Sequence, residues 1–305
     1  MVEALITSWG QMDLPAHCDI RCLIVENDEQ PQTRSLVTTQ PVLPNGVPLD
    51  YVLETEAGIP FGRNRAAKEA LAQGADLLVF VDDDEAVAKD WLVKLIEGYR
   101  QSEAVLLGAP MLVAPQNEPL TYMQSLVLTN LTEVYQKRAD TAAETATLNT
   151  RGRSVIATNN WVAQTRLFRD ENIWFHEALR FSGGEDTQFL VDVMERGFTV
   201  GWIKDAYVYE TIPTDRLSLR YQFRRARDQA NTSFHRHMSK KPLSRYTIFL
   251  RIPGKLIQLV FLLLIIPFAH KTAPLRLARM AGGFWGKLNA AVGVWFKHYA
   301  KTTGH

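Results

Sequence analysis

Cysteine is almost missing from this chain: there are two in 305 residues, Cys18 and Cys22. Such a pair builds no disulfide framework, so stability must come from a hydrophobic core, and a reducing compartment is expected. His17 beside them adds a third metal-type side chain, but the spacing fits no zinc pattern and the thiols read as ordinary. A secretory leader is not expected either, since MVEALITSWG has no basic n-region and only a short apolar run. The cytosolic side of a membrane is therefore the expected location. There is no internal repeat. The longest uninterrupted apolar stretch of the C-terminal part, Leu259 to Ile266, falls short of the ~20 residues a spanning helix needs.

Acid is the scarcest commodity beyond Arg216. Residues 216–305 hold 17 Lys and Arg against one acid, Asp228, whereas residues 1–215 hold 17 basic and 32 acidic residues. The net charge of +1 thus conceals a region of +16 and a region of −15. Two domains with different partners are implied, 1–215 and 216–305. The acidic one suits cations, and the basic one suits phosphates of nucleotides, nucleic acid or lipid headgroups.

The first region alternates strand-like and helix-like segments. Ile20–Val25 and Leu49–Thr55 read as strands, Arg63–Gln73 as a helix stopped by Gly74, Leu77–Val81 (LLVFV) as a buried strand, and Asp90–Gln101 as an amphipathic helix. This order predicts an α/β fold with a mainly parallel sheet covered on both faces. Further on, 105–113 reads as one strand, 121–137 as a helix, 139–153 as a polar, mobile loop, and 155–163 as extended. The glycine-rich turn FSGGED leads into a helix over 187–196. Strands are expected at 198–203 and 206–209.

Beyond Thr214, residues 217–237 read as a basic amphipathic helix. IFLRIPGKLIQLVFLLLIIPFA and GGFWGKLNAAVGVWFKHY mix apolar runs with Arg, Lys and Trp. That composition fits helices lying in a membrane interface, the alternative being a pair of buried core helices. Nucleic-acid binding is not expected, because the arginines alternate with membrane-type apolar runs rather than stacking platforms.

Two acidic constellations stand out. LLVFV runs directly into Asp82, Asp83, Asp84 and Glu85, and ligand-binding groups of parallel sheets gather beyond such strand ends. Carboxylates at i and i+2 can share a hard divalent cation, Mg²⁺ or Mn²⁺, and leave positions for a diphosphate. The alternative is a solvated turn and helix start. In GGEDTQF, Glu185 and Asp186 stand at a helix mouth after two glycines; an ionised Asp there can serve as a general base, or simply cap the helix.

Taken in order, GRNRAAKEALAQGADLL, VDDDE, GGEDTQF and AYVYETIPTDRLSLRYQFRRARDQAN resemble family-2 inverting glycosyltransferases of the GT-A fold, over about residues 5–230. The resemblance implies a nucleotide-diphosphate sugar donor, a glycan or lipid-linked acceptor hydroxyl, and a membrane surface met by the basic tail. It implies work at the cytoplasmic face of the cell membrane, in cell-surface polysaccharide or glycolipid synthesis. Carried over by position, Asp82 and Asp84 hold the metal, Asp83 meets the sugar or ribose, Asp186 is the base and Glu185 binds or orients the acceptor. Arg63 approaches the nucleotide, with Asn64 nearby, while Glu26 and Asp28 fall where relatives bind the nucleobase. Glu210 stands where many relatives carry a metal-binding His. Arg224 and Arg227 face the diphosphate or acceptor, or else neutralise lipid headgroups. One departure is expected to matter. Relatives open with a strand and a nucleoside-cradling turn, whereas this chain begins within the following helix at ALITSW. A start upstream of Met1 is one expectation; a catalytically inactive nucleotide-sugar-binding or membrane-interaction relative is the alternative.

Overall fold

The computed structural model describes residues 1–116, 118–147, 159–180, 183–240, 243–250, 252–265 and 273–294. The chain divides into two compact units. The first is Met1–Pro115 with Tyr135–Thr211, and the second is Gln116–Val134 with the chain from Ile212 onward. The break after Thr211 falls close to the change in charge, but 116–134, which precedes it in sequence, packs with the C-terminal region.

The first unit opens with helix α1 (Val2–Gln11), then β1 (Cys22–Asn27), α2 (Arg34–Thr39) and β2 (Leu49–Glu54). β1 and β2 form a parallel pair. Helix α3 (Ile59–Ala72) starts four residues before the expected Arg63, because Pro60 suits the first turn, where no N–H partner is needed. β3 (Leu77–Val81) is followed by β4 (Glu85–Val87), α4 (Trp91–Arg100), β5 (Leu106–Gly108) and β6 (Met111–Val113). After α5 (Tyr122–Thr147) come β7 (Asn160–Gln164), α6 (Arg166–Arg169), α7 (Glu185–Glu195), β8 (Val200–Trp202) and β9 (Val208–Glu210).

The uninterrupted run LLVFV reflects a strand covered on both sides. Leu77, Val79 and Val81 enter one core with Leu92, Leu95 and Val162, while Leu78 and Phe80 enter another with Trp161, Phe175 and Phe189. Alternation with period two sends neighbours to opposite faces. The expected mainly parallel sheet is instead mixed. β3 pairs antiparallel with β7, β7 antiparallel with β5, and β5 parallel with β8. A second small sheet runs β4-β9-β6, antiparallel then parallel. Asn160, fully buried, joins these layers: its amide donates to Pro110 O and Ala206 O, both at 2.8 Å, and accepts from Trp91 Nε1 at 3.0 Å. Cys22 is buried at the start of β1, and burial pushes its thiol up to about 12, the behaviour of an apolar filler rather than a metal thiolate.

The second unit contains α8 (Leu219–Lys240), α9 (Ser244–Leu250), α10 (Ile252–Ile265) and α11 (Ala273–Ala291). α11 lies against α8 with no room between backbones: a Cβ on Gly282 would stand 2.2 Å from Phe223 O, and one on Gly286 would stand 2.0 Å from Arg227 O. Asn231 fastens the pair by donating to Gly286 O at 3.1 Å and Val294 O at 2.9 Å. On α10, Leu256, Ile257, Val260, Phe261, Leu263 and Leu264 are 49–70% exposed and share one side of the helix. Among the described residues no helix is long and apolar enough to cross a membrane. Trp285 is exposed, while Trp295 and Tyr299 lie outside the described residues, as do 148–158 of the expected loop and strand.

Candidate active site

The acidic turn follows directly from the end of β3. Asp82, Asp83 and Asp84 make the bend, and Glu85 begins β4, with its N–H donating to Asp82 O at 3.3 Å. The Glu85 side chain turns inward and is 2% exposed. Its Oε2 accepts from the Asp82 N–H at 3.0 Å and its Oε1 from Asn159 Nδ2 at 3.1 Å. Burial first, then the neighbouring Asp82 and Asp84, pushes the Glu85 carboxyl well above its ordinary range. Glu85 therefore braces the turn rather than joining the solvent-facing acids. Thr211 N–H holds the other end by donating to Asp84 O at 2.9 Å.

Asp83 is exposed, and Asp82 and Asp84 are half-buried. Enclosure by protein pushes the Asp82 carboxyl upward, Arg63 opposes this, and Asp83, Glu210 and Glu185 add to it. Its side chain keeps 47% of its surface in solvent, so water screens these effects and limits the displacement. Glu210 lies opposite Glu85 in the β4–β9 register, buried, and accepts a hydrogen bond from Tyr135 OH at 2.7 Å.

The second acidic pair is oriented by the packing stripe of α7. Glu185, Phe189 and Val193 recur every four residues and are all buried, so the helix carries Glu185 inward, while Asp186, about 100° further round, stays partly exposed. Phe189 stacks on Phe175 with centroids 4.6 Å apart and meets Trp161 edge-on at 5.3 Å. Gly183 and Gly184 precede the helix at φ 68° and 83°, a left-handed pair that side chains other than glycine rarely accept. Asp186 Oδ1 accepts from the Thr187 N–H at 2.6 Å.

Arg63 ties the two acidic elements together. Its Nη1 pairs with Glu185 Oε1, its Nη2 stands 3.8 Å from Asp82 Oδ1, and its guanidinium lies 5.7 Å above the centre of the Phe175 ring. The other Glu185 oxygen, Oε2, is buried and has no hydrogen-bond donor among the described residues. A buried carboxylate oxygen left so is costly and points to a donor brought by something else.

Other expected site residues have different surroundings. Asn64 is buried and spends both ends of its amide on Phe175, donating to its carbonyl at 2.9 Å and accepting from its N–H at 3.0 Å. Its evident work is to hold that segment. Glu26 accepts from Thr33 N–H, Thr33 Oγ1, Gln32 N–H and Tyr51 OH, so its carboxylate ties the segment after β1 to β2. Asp28 is exposed, accepting from the Glu29 N–H at 2.6 Å. Arg224 and Arg227 belong to α8 in the second unit. Arg224 is exposed, and Arg227 Nε pairs with Asp228 Oδ1 at 2.7 Å. Sequence reasoning missed Asn159, Tyr135 and Phe175. Only the tandem asparagines of NNW hinted at a built site, since polar residues heading an apolar strand need partners.

Among the described residues, no group of three or more His, Cys, Asp or Glu is placed to hold a metal ion. The donors present, the Asp82 and Asp84 carboxylates, are hard oxygen ligands half open to solvent. Mg²⁺ is commonly held by one or two protein carboxylates with substrate phosphates completing its shell, so this set fits such a cation.

The α/β layers with mixed sheets are those of the GT-A fold. Residues 77–296 match the family described as Glycosyl transferase family group 2, and the chain belongs to that family. It is 28% identical to the succinoglycan biosynthesis protein ExoM of Rhizobium meliloti over 221 residues, which span 72% of this chain and 66% of that protein. The fold resembles crystal structures of S. aureus TarS residues 1–349. The unliganded form gives a TM-score of 0.50 at 18% identity, covering 97% of this chain and 88% of that one. The complex with UDP-GlcNAc gives 0.50 at 16%, covering 97% and 89%.

Proposed function

We propose that this transferase moves a sugar from a nucleotide-diphosphate donor to a hydroxyl of a glycan or lipid-linked acceptor, with inversion at the anomeric carbon. In this reading it serves polysaccharide or glycolipid synthesis, the former supported by its likeness to a succinoglycan biosynthesis protein, and it works at the cytoplasmic face of the membrane. The observation that carries the reading is the Arg63 bridge, which brings the Glu185 helix start and the Asp82 turn to one guanidinium. Asp186 takes the proton from the acceptor hydroxyl as its oxygen bonds to the anomeric carbon, and the bond to the nucleotide diphosphate breaks on the opposite face. Glu185 Oε2 accepts a hydrogen bond from a second acceptor hydroxyl, which would supply the donor it lacks. Asp82 and Asp84 hold Mg²⁺ or Mn²⁺, which supplies Lewis-acid neutralisation of the departing diphosphate. Asp83 meets the sugar or ribose, and Arg63 turns part of its charge toward the phosphates. Arg224 and Arg227 face anionic groups of donor, acceptor or lipid.

The test is Asp186→Asn in the full chain, supplied with donor, acceptor and Mn²⁺. Loss of at least ~10²-fold in kcat is expected from removing a general base. Transfer near the wild-type rate, with the variant folded, removes Asp186 from the mechanism.

A further inference from the structure

A concavity lies in the first unit, lined by α3, the segment 172–177 and the later turns of α7. It has a volume of about 610 Å³, and its wall includes Lys68, Trp174, His176, Glu177, Asp192 and Arg196. Small-molecule sites typically fall in the range of about 300–1,000 Å³. None of the acids of the turn after β3 lines it.

Its chemistry is selective. Glu195 also lines it, so two cations stand against three carboxylates, and the wall has no strong field of either sign. A phosphate or a metal ion is therefore a poor match, whereas a neutral ligand is not disfavoured. Lys68, Glu177 and Glu195 are exposed and make no ion pair or side-chain hydrogen bond among the described residues. They leave both donors and acceptors available at the wall. The half-buried Trp174 is fixed in place, its Nε1 donating to Asn172 Oδ1 at 2.9 Å and its ring meeting Phe168 at 5.4 Å. His176 is likewise held, with Nε2 at 2.7 Å from Asp192 Oδ2, and Asp192 Oδ1 accepts from Gln188 Nε2 at 2.8 Å. A fixed aromatic plane among planar hydrogen-bonding groups and charges of both signs is suited to a ligand having apolar ring faces and many hydroxyls.

We infer that this cavity binds a neutral sugar unit of an oligosaccharide acceptor, away from the reacting hydroxyl. The inference rests on the transferase reading for its role, because α7 connects the two places. Asp192 follows Glu185 by seven residues, or about 10 Å of helix rise. A glycan reaching from Glu185 to the cavity wall at Asp192 therefore has more than one sugar unit, and the cavity makes the enzyme prefer extended acceptors to single sugars. Phe175 couples the two sites, since its backbone is clamped by Asn64, which lines the cavity, and its ring lies under Arg63.

The test uses saturation-transfer NMR on the full chain with maltotriose, cellotriose and laminaritriose, and calorimetry with UDP and Mn²⁺ as a separate readout of the donor site. At least one trisaccharide is expected to bind, with its signal falling at least about fivefold in Trp174→Ala, the size of one lost aromatic contact. Glu195→Lys, an exposed change that threatens no core, is expected to weaken it too, while UDP binding holds in both. No trisaccharide signal with the wild-type chain, or a signal undiminished in Glu195→Lys and in a folded Trp174→Ala, overturns the inference. Trisaccharide binding without binding of UDP, or of GDP in its place, leaves the cavity standing and removes the donor-site reading instead.

Discussion

Arg63 and Asn64 are neighbours on α3 that meet different parts of Phe175, its ring and its backbone. Successive helical residues point about 100° apart, so one reaches the acids while the other grips a backbone. The sequence RN was expected to place both near the nucleotide, because a motif in one dimension does not say which of two adjacent side chains faces the strand ends. Asn64→Ala would leave the Phe175 N–H and C=O buried without partners. Each orphaned group costs about 1–3 kcal/mol, so a loss of roughly 2–6 kcal/mol and a clearly lower melting temperature are expected. An unchanged melt would show that the clamp adds nothing. Glu26 teaches the same lesson, since its place at the end of β1 suggested a ligand and its hydrogen bonds go to the chain itself.

At the scale of elements, the sequence spoke most clearly where burial was complete. Leu77–Val81 was legible to the residue as a strand with acids at its end, and the bounds of α4 needed only one residue trimmed at each end. Orientation was not legible: β7 runs antiparallel to both neighbours, and nothing in the composition of NWVAQ encodes direction. Residues 105–113 read as one strand but form two, in different sheets, because Pro110 offers no N–H to a ladder. The segment 139–153 was expected to be loop, yet its first nine residues continue α5, whose alanines and glutamates favour helix. Gly282 and Gly286 were visible as letters, but their reason is contact. Gly286→Ala would drive a Cβ into Arg227 O, and lower thermal stability is expected despite alanine's better helix propensity. Gly283→Ala meets only Ala230 Cβ at 3.9 Å, so it is expected to hold or raise stability by up to about 1 kcal/mol. If the two variants melt alike, the close helix approach is wrong.

At the scale of the whole chain, we propose contact with an anionic lipid surface, a reading supported by the charge split and the exposed stripe of α10. Among the described residues no helix is long and apolar enough to cross a membrane, and the exposed stripe of α10 is suited to lying along the interface. Two forces then act together. Basic residues beyond Arg216 contribute about 1 kcal/mol each where they approach anionic headgroups, a contribution that salt screens. Burial of Phe261 and Leu264 contributes up to about 1.5–3 kcal/mol each, which salt leaves intact. The full chain is therefore expected to sediment with vesicles containing phosphatidylserine at low salt. It should bind less tightly, though still detectably, at about 0.5 M salt. The double change Phe261→Asp with Leu264→Asp should abolish that residual binding and weaken the low-salt binding at least about tenfold. Full release by salt alone would mean the apolar stripe takes no part in binding. Equal binding by the double variant would mean that α10 meets something other than lipid, and the acceptor would then have to reach the acidic turn without the membrane to present it.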